Sequence, residues 1–235
     1  MLSLLFRSAW VFTFLFVASI SMAQEQAVEL EKDFETWTST SFSYAIDSRW
    51  KVDLNQQLRL KENSSQFDVY FTQLGVRYKF KNNISVGTGA RYIRENDNQG
   101  KMQGYENHFR WNGDLMYKLP VQRFALKYRL RYQSKTELNI PDAVERTTYR
   151  FKTALSYNIK QSDFRPSLSA ELFHNPNLEN GISKVRYSIG TSYHFKKAGE
   201  IAAFYRIEDK RSVSEPKRTQ IFGIKYQYTL KSKSR

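Results

Sequence analysis

Ser192 and His194 lie two residues apart, the spacing that puts both side chains on one face of a strand with Tyr193 on the other. Glu208, in the next segment, is the carboxylate that could orient the imidazole. A hydroxyl, a base and an orienting acid are the groups of acyl transfer, which also needs donors for the oxyanion. No such donors are identifiable here, and serine is abundant. Ser192, His194 and Glu208 are therefore the candidate catalytic group, with a structural role expected for each.

The other histidines, His108 and His174, stand alone in the sequence. A metal site needs several convergent ligands. Glu95, Asp97, Glu106 and His108 could converge, but nothing in their spacing demands it, so neither a metal nor a cofactor is expected. A third group is basic. Lys127, Arg129, Arg131, Arg150 and Lys152 share one parity on neighbouring segments, with Asp114 and Glu171 as nearby acids and Glu106 beyond them. Arginine can grip a carboxylate with two hydrogen bonds. Such pairs would close a narrow interior, whereas a ladder of unpaired cations would draw anions through it. The closed form is preferred.

These residues are positioned by alternation. In WKVDLNQQLRLK, Trp50, Val52, Leu54, Leu58 and Leu60 fall on one parity, interrupted only by Gln56. Lys51, Asp53, Asn55, Gln57, Arg59 and Lys61 fall on the other. RFALKYRLRYQ repeats the design, with Phe124, Leu126, Tyr128, Leu130 and Tyr132 opposite Lys127, Arg129 and Arg131. Eleven such segments are read: 34–46, 50–61, 67–80, 84–94, 105–119, 123–133, 147–159, 164–174, 184–195, 200–210 and 218–230. About ten residues tilted near 45° cross a bilayer, and these segments reach that length. Short connections (47–49, 81–83, 120–122, 160–163, 196–199) alternate with longer ones (62–66, 95–104, 134–146, 175–183, 211–217). Short periplasmic turns and long extracellular loops alternate this way in outer-membrane barrels.

The reading is an all-β, antiparallel transmembrane β-barrel of about twelve strands, within ten to twelve. Because bacterial single-chain barrels have an even number, residues 24–33 are expected to hold a twelfth strand. Ten strands would follow if the first segment were misread, and the N-terminal stretch could instead run through the lumen. By the same alternation the Ser192–His194 pair faces the lumen, away from lipid.

The first 23 residues place Arg7 before an apolar run from Ala9 to Ile20, ending in Ser21-Met22-Ala23. This is the pattern of a cleaved secretory signal peptide, so 1–23 are expected to be removed and 24–235 to form one barrel domain. The chain has no cysteine, which excludes a disulfide framework and a lipid-modified cysteine. A mean hydropathy of −0.63 suits a barrel, where half of each strand is polar. The 15 Tyr, 17 Phe and 4 Trp suit membrane–water boundaries. The formal charge of +14 would suggest nucleic acid in a soluble protein. In an exported barrel it points instead to a basic lumen or to anionic lipid. The expected partners are outer-membrane lipids, lipopolysaccharide and the barrel-insertion machinery, not nucleic acid.

The stretch DFETWTSTSFSYAIDSRWKVDLNQQLRLKENSSQFDVYFTQLGVRYKF resembles domain-of-unknown-function family 2490, barrel-like exported proteins of Bacteroidota. The resemblance rests on Trp37, the strand ending at Arg59, Gly75 with Tyr78 and Phe80, Gly89-Ala90-Arg91-Tyr92, and Tyr128 to Tyr132. It implies an outer-membrane barrel and brings no activity with it. The functional expectation is a structural barrel or a small-solute or anion channel with a largely occluded polar lumen, in preference to an enzyme. The alternatives are an outer-membrane lipid hydrolase of phospholipase or lipid A deacylase type, and a periplasmic soluble barrel that binds lipid inside. The last would need its aliphatic face turned inward.

Overall fold

The computed structural model describes residues 30–81, 83–97, 104–178, 181–211 and 216–232. The leader expected over 1–23 lies outside them. Eleven strands follow in chain order: β1 (Glu31–Ala45), β2 (Trp50–Lys61), β3 (Gln66–Lys79), β4 (Ile84–Asp97), β5 (Gly104–Val121) and β6 (Phe124–Glu137), then β7 (Arg146–Tyr157), β8 (Phe164–His174), β9 (Ile182–Phe195), β10 (Gly199–Lys210) and β11 (Lys217–Lys231). They run from 11 residues in β8 to 18 in β5, all long enough to cross an apolar layer.

Each strand pairs antiparallel with the next, and β1 closes the barrel on β11. That closing pair is parallel, in register from Glu31↔Lys217 to Ala45↔Lys231. The reason is geometric: in an up-and-down meander of odd number, the first and last strands point the same way. No twelfth strand precedes β1 among the described residues. Residues 31–33, expected to belong to it, extend β1 instead. The seam is pinned at both ends. The Lys217 ammonium lies 2.6 Å from Glu31 and 3.5 Å from Asp33, and the Ser232 amide donates to the Ala45 carbonyl.

The connections at one end are 46–49, 80–83, 122–123, 158–163 and 196–198. Those at the other are 62–65, 98–103, 138–145, 175–181 and 211–216. At the first end the Asp47 carboxylate accepts hydrogen bonds from the amides of Arg49 (2.7 Å) and Trp50 (2.6 Å). At the second, Glu62, Asn63 and Ser64 all take positive φ, and Asp33 accepts the Glu62 and Asn63 amides. Successive left-handed residues turn their N–H groups to one side, a concavity suited to a carboxylate.

Outward parity is apolar. Cross-strand rows such as Leu126↔Leu155↔Leu168↔Ile189 form an aliphatic band, and Leu130, Leu168 and Ile189 are more than half exposed. Aromatic rings gather on both sides of it. Toward the short connections, Trp50 meets Tyr78 and Phe124 meets Tyr157, with ring centroids 4.8 Å apart in each pair. Toward the long ones, Trp111 meets Tyr132 at 5.3 Å and Tyr132 meets Tyr149 at 5.5 Å. An exposed aliphatic band between two aromatic belts is the outer surface that barrels present to lipid.

Inward parity carries the charge, and a few large apolar groups. Trp37, Phe71, Phe173 and Ile221 point inward and are buried. Phe204 projects inward between two glycines, Gly190 on β9 and Gly223 on β11, its register partners. A Cβ on Gly223 would run into the Phe204 ring, so glycine is required there for the ring to lie flat across the wall.

Candidate functional site: a cationic lumen

Arginines on the inner faces of β2, β4, β5, β6, β7, β9 and β10 meet in the middle of the barrel. The strand period alone puts Arg59, Arg91, Arg110, Arg129, Arg150, Arg186 and Arg206 on that side. They surround a chamber of about 470 Å³ lined by eight arginines, three lysines and a single acid, Glu171. A guanidinium stays protonated in a protein, so the chamber wall carries a large excess of positive charge.

Part of that charge is balanced by carboxylates. Glu171 is 3% exposed and accepts from Arg129 at 2.6 Å, from Arg150 at 2.8 and 3.0 Å, and from Arg186 at 3.5 Å. Glu208 is gripped by Arg186 and Lys184. Arg131 holds Asp114 with two bonds of 2.6 and 2.8 Å.

Aromatic faces take up more of it. The Arg59 guanidinium lies 3.8 Å from the centre of the Trp37 ring and 5.7 Å from that of Phe71. Arg186 lies between Trp37 at 5.4 Å and Phe173 at 4.8 Å, and Arg150 covers Phe173 at 4.3 Å. Rings and guanidinium groups thus alternate from Phe71 on β3, through Arg59, Trp37, Arg186 and Phe173, to Arg150 on β7. The ring faces are electronegative, and a cation over them is worth about 2 kcal/mol when both are out of water. The stack crosses the lumen and narrows it.

Some charge is left without a partner. Arg91 donates to the Gln73 carbonyl oxygen at 2.5 and 2.8 Å and stacks on Phe71. Arg110, its register neighbour, has Nε and one Nη buried with no hydrogen-bond partner, and Nε of Arg129 is in the same state. Unmet buried donors are costly, and here they converge on one chamber. An anion of a few oxygens, with lone pairs in several directions, meets their needs.

Two further cavities adjoin this one on the short-connection side, of about 610 and 310 Å³. Lys225 lines all three. Lys127, Lys152 and Arg206 line the larger, and Lys51, Arg77, Arg91 and Arg131 the smaller. The lumen is therefore basic from its centre to the short-connection end.

Of the residues singled out in the sequence, Lys127, Arg129, Arg131, Arg150, Lys152, Asp114 and Glu171 all face this lumen. Ser192 and His194 also point inward, but the structure does not bring Glu208 to them. His194 is in register with Glu200, and Ser192 with Ala202. Glu208 lies six positions beyond Ala202, about 20 Å along the strand, bound to Arg186. No side-chain hydrogen bond joins Ser192 to His194 among the described residues. His174 lies on the outer face, its ring centroid 6.2 Å from that of Tyr149. His108 faces inward near the long connections, 3.1 Å from Glu106 and 3.5 Å from Glu95. Arg59, Arg91, Arg110, Arg186 and Arg206 are not among the site residues expected from the sequence, although the same alternation places each on the charged side. The inward Trp37, Phe71 and Phe173 carry no such signal, because they are apolar groups on the polar parity.

No curated protein matches the chain. The profile of the family described as "Protein of unknown function (DUF2490)" matches residues 34–217, which spans most of the barrel from early β1 to the start of β11. A closed barrel of alternating strands, apolar outside and cationic within, is thus the architecture of a chain that belongs to the DUF2490 family.

Proposed function

We propose that this protein is an outer-membrane β-barrel whose largely occluded, cationic lumen admits small anions. The observation that carries the anion reading is the set of buried donors without acceptors on Arg110 and Arg129, facing a chamber with one acid among eleven cations. The membrane reading is supported by the exposed aliphatic band and its two aromatic belts. Water would hydrate such a surface poorly, whereas lipid chains cover it without loss. A soluble barrel with lipid inside needs the opposite arrangement, and here the aliphatic groups point out and the arginines in. Lipid hydrolysis finds no support in the placement of Ser192, His194 and Glu208.

The stack from Phe71 to Arg150 keeps the passage narrow, so the conductance expected is small. The test is the reversal potential of purified, refolded protein in a planar bilayer under a potassium chloride gradient. A potential on the chloride side of zero is expected, moving toward zero in the Arg91→Gln, Arg110→Gln double variant. A cation-selective current, or no current at all from correctly folded protein, would reject the anion path and leave a purely structural barrel.

A further inference from the structure

The lumen is not basic throughout, and its acidic part contains an arrangement that the anion reading does not use. On β5, Glu106 and His108 share the inner face near the long connections. Glu137 on β6 is the register partner of His108, and Glu95 on β4 is the register partner of Glu106. Three adjacent strands thus deliver one imidazole and three carboxylates to a single patch of the inner wall.

His108 is only 4% exposed, and its Nε2 is buried with no hydrogen-bond partner. That nitrogen points into the acids, with Oε2 of Glu106 at 3.1 Å and Oε2 of Glu95 at 3.5 Å. Neither acid is placed to hydrogen-bond with it, so the nitrogen is left unsatisfied among carboxylate oxygens. Ligand atoms from Glu106, His108 and Glu137 all lie within 4.8 Å of one another. Donors about 2.0–2.2 Å from a tetrahedral zinc ion sit about 3.3–3.6 Å apart, so small side-chain rotations bring these three groups onto one ion. Glu95 is already held by Lys135 at 2.5 Å, which makes it an outer support rather than a ligand. Glu106 also shares a hydrogen bond with Asp97, and two carboxyl groups in contact need a proton or a cation between them.

We infer that Glu106, His108 and Glu137 form a binding site for a divalent transition-metal ion at the long-connection mouth of the barrel. An imidazole with two carboxylates suits zinc or a neighbour of similar softness. Calcium and magnesium prefer all-oxygen shells. Three protein ligands leave a coordination position for water or for an oxygen of another molecule. Metal binding here would also tie β5 to β6 beside the connection 138–145.

The test uses the full chain, refolded in detergent, stripped with a chelator and titrated with zinc chloride alone by calorimetry, with calcium chloride as the contrast. A single zinc site with little heat from calcium is expected. His108→Ala should abolish it, and Glu95→Gln should weaken it by about 10–100-fold, as loss of an outer support does. His174→Ala, on the outer face, should bind as wild type does. Retention of the gel shift between boiled and unboiled samples shows that each variant has closed its barrel, and Glu137→Gln provides a second ligand variant if His108→Ala fails that check. No zinc uptake by the wild type, or equal uptake by a folded His108→Ala or Glu137→Gln variant, would overturn the site.

Discussion

The guanidinium of Arg91 lies 3.4 Å from the centre of the Phe71 ring, and its hydrogen bonds go to Gln73 rather than to any acid. A partly buried cation held by a ring and an amide has most of its charge still available. This pair explains how the barrel keeps so many arginines inside without matching each to a carboxylate. Replacing Phe71 by Leu should remove the ring face while keeping an apolar side chain. Loss of stability by about 2 kcal/mol is expected from the missing cation–π contact. In a double-mutant cycle with Arg91→Gln, measured by urea unfolding in vesicles, the two changes should be less than additive. Strict additivity would show that the contact contributes nothing.

Glu171 sits among Arg129, Arg150 and Arg186. Changing it to Gln removes the buried acid shared by three partly buried cations, and removing one partner of a buried pair costs about 3–5 kcal/mol. The exposed pair Arg218–Asp209, at 2.7 Å, is the control. Asp209→Asn there should change stability by about 1 kcal/mol or less. Similar losses from both substitutions would mean that the interior is far wetter than its packing indicates.

The long connections are proposed to face the cell exterior. With no native cysteine in the chain, Asn139→Cys in the connection 138–145 and Lys160→Cys in the connection 158–163 provide clean probes. A membrane-impermeant maleimide added to intact cells should label the first and spare the second. The reverse pattern would turn the barrel over and place the acidic mouth in the periplasm.

Asp47 gives a dependence on pH. The amides of Trp50 and Arg49 donate to its carboxylate and hold its pKa below the usual carboxylate range. A folded pKa below the unfolded one contributes stability that is present above the unfolded value, about 4. It is lost as pH falls through the folded value. The urea midpoint of the wild type should therefore fall more steeply than that of Asp47→Ala below about pH 4. Parallel acid limbs would show that the turn contributes no pH dependence.

Much of this was legible in the sequence because a period of two is unambiguous when one face of each strand is apolar and the other charged. Strand 50–61 coincides with β2, and the segment read as 184–195 differs from β9 by two residues at one end. What alternation cannot give is height. It places Glu208 and His194 on the same side of the wall, but strand stagger decides that one meets Arg186 and the other lies level with Glu200. The closure of an odd barrel through a parallel seam was hidden for a similar reason, because no local pattern in β1 or β11 names its partner. The stack of rings and arginines was hidden because Trp37, Phe71 and Phe173 read as exceptions to the polar face. They are the groups that make its charge tolerable.

Aliphatic groups are proposed to face lipid while the opposite face lines an aqueous, charged interior. Leu168 and Ser169 are neighbours on β8. The first is 55% exposed on the outer face, and the second lines the larger basic chamber. Nitroxide labels at Leu168→Cys and Ser169→Cys, in protein refolded into vesicles, report this directly through relaxation by oxygen or by a water-soluble nickel chelate. Oxygen should dominate at residue 168 and the nickel chelate at residue 169. Nickel access at residue 168 with oxygen access at 169, or equal nickel access at both, would contradict it.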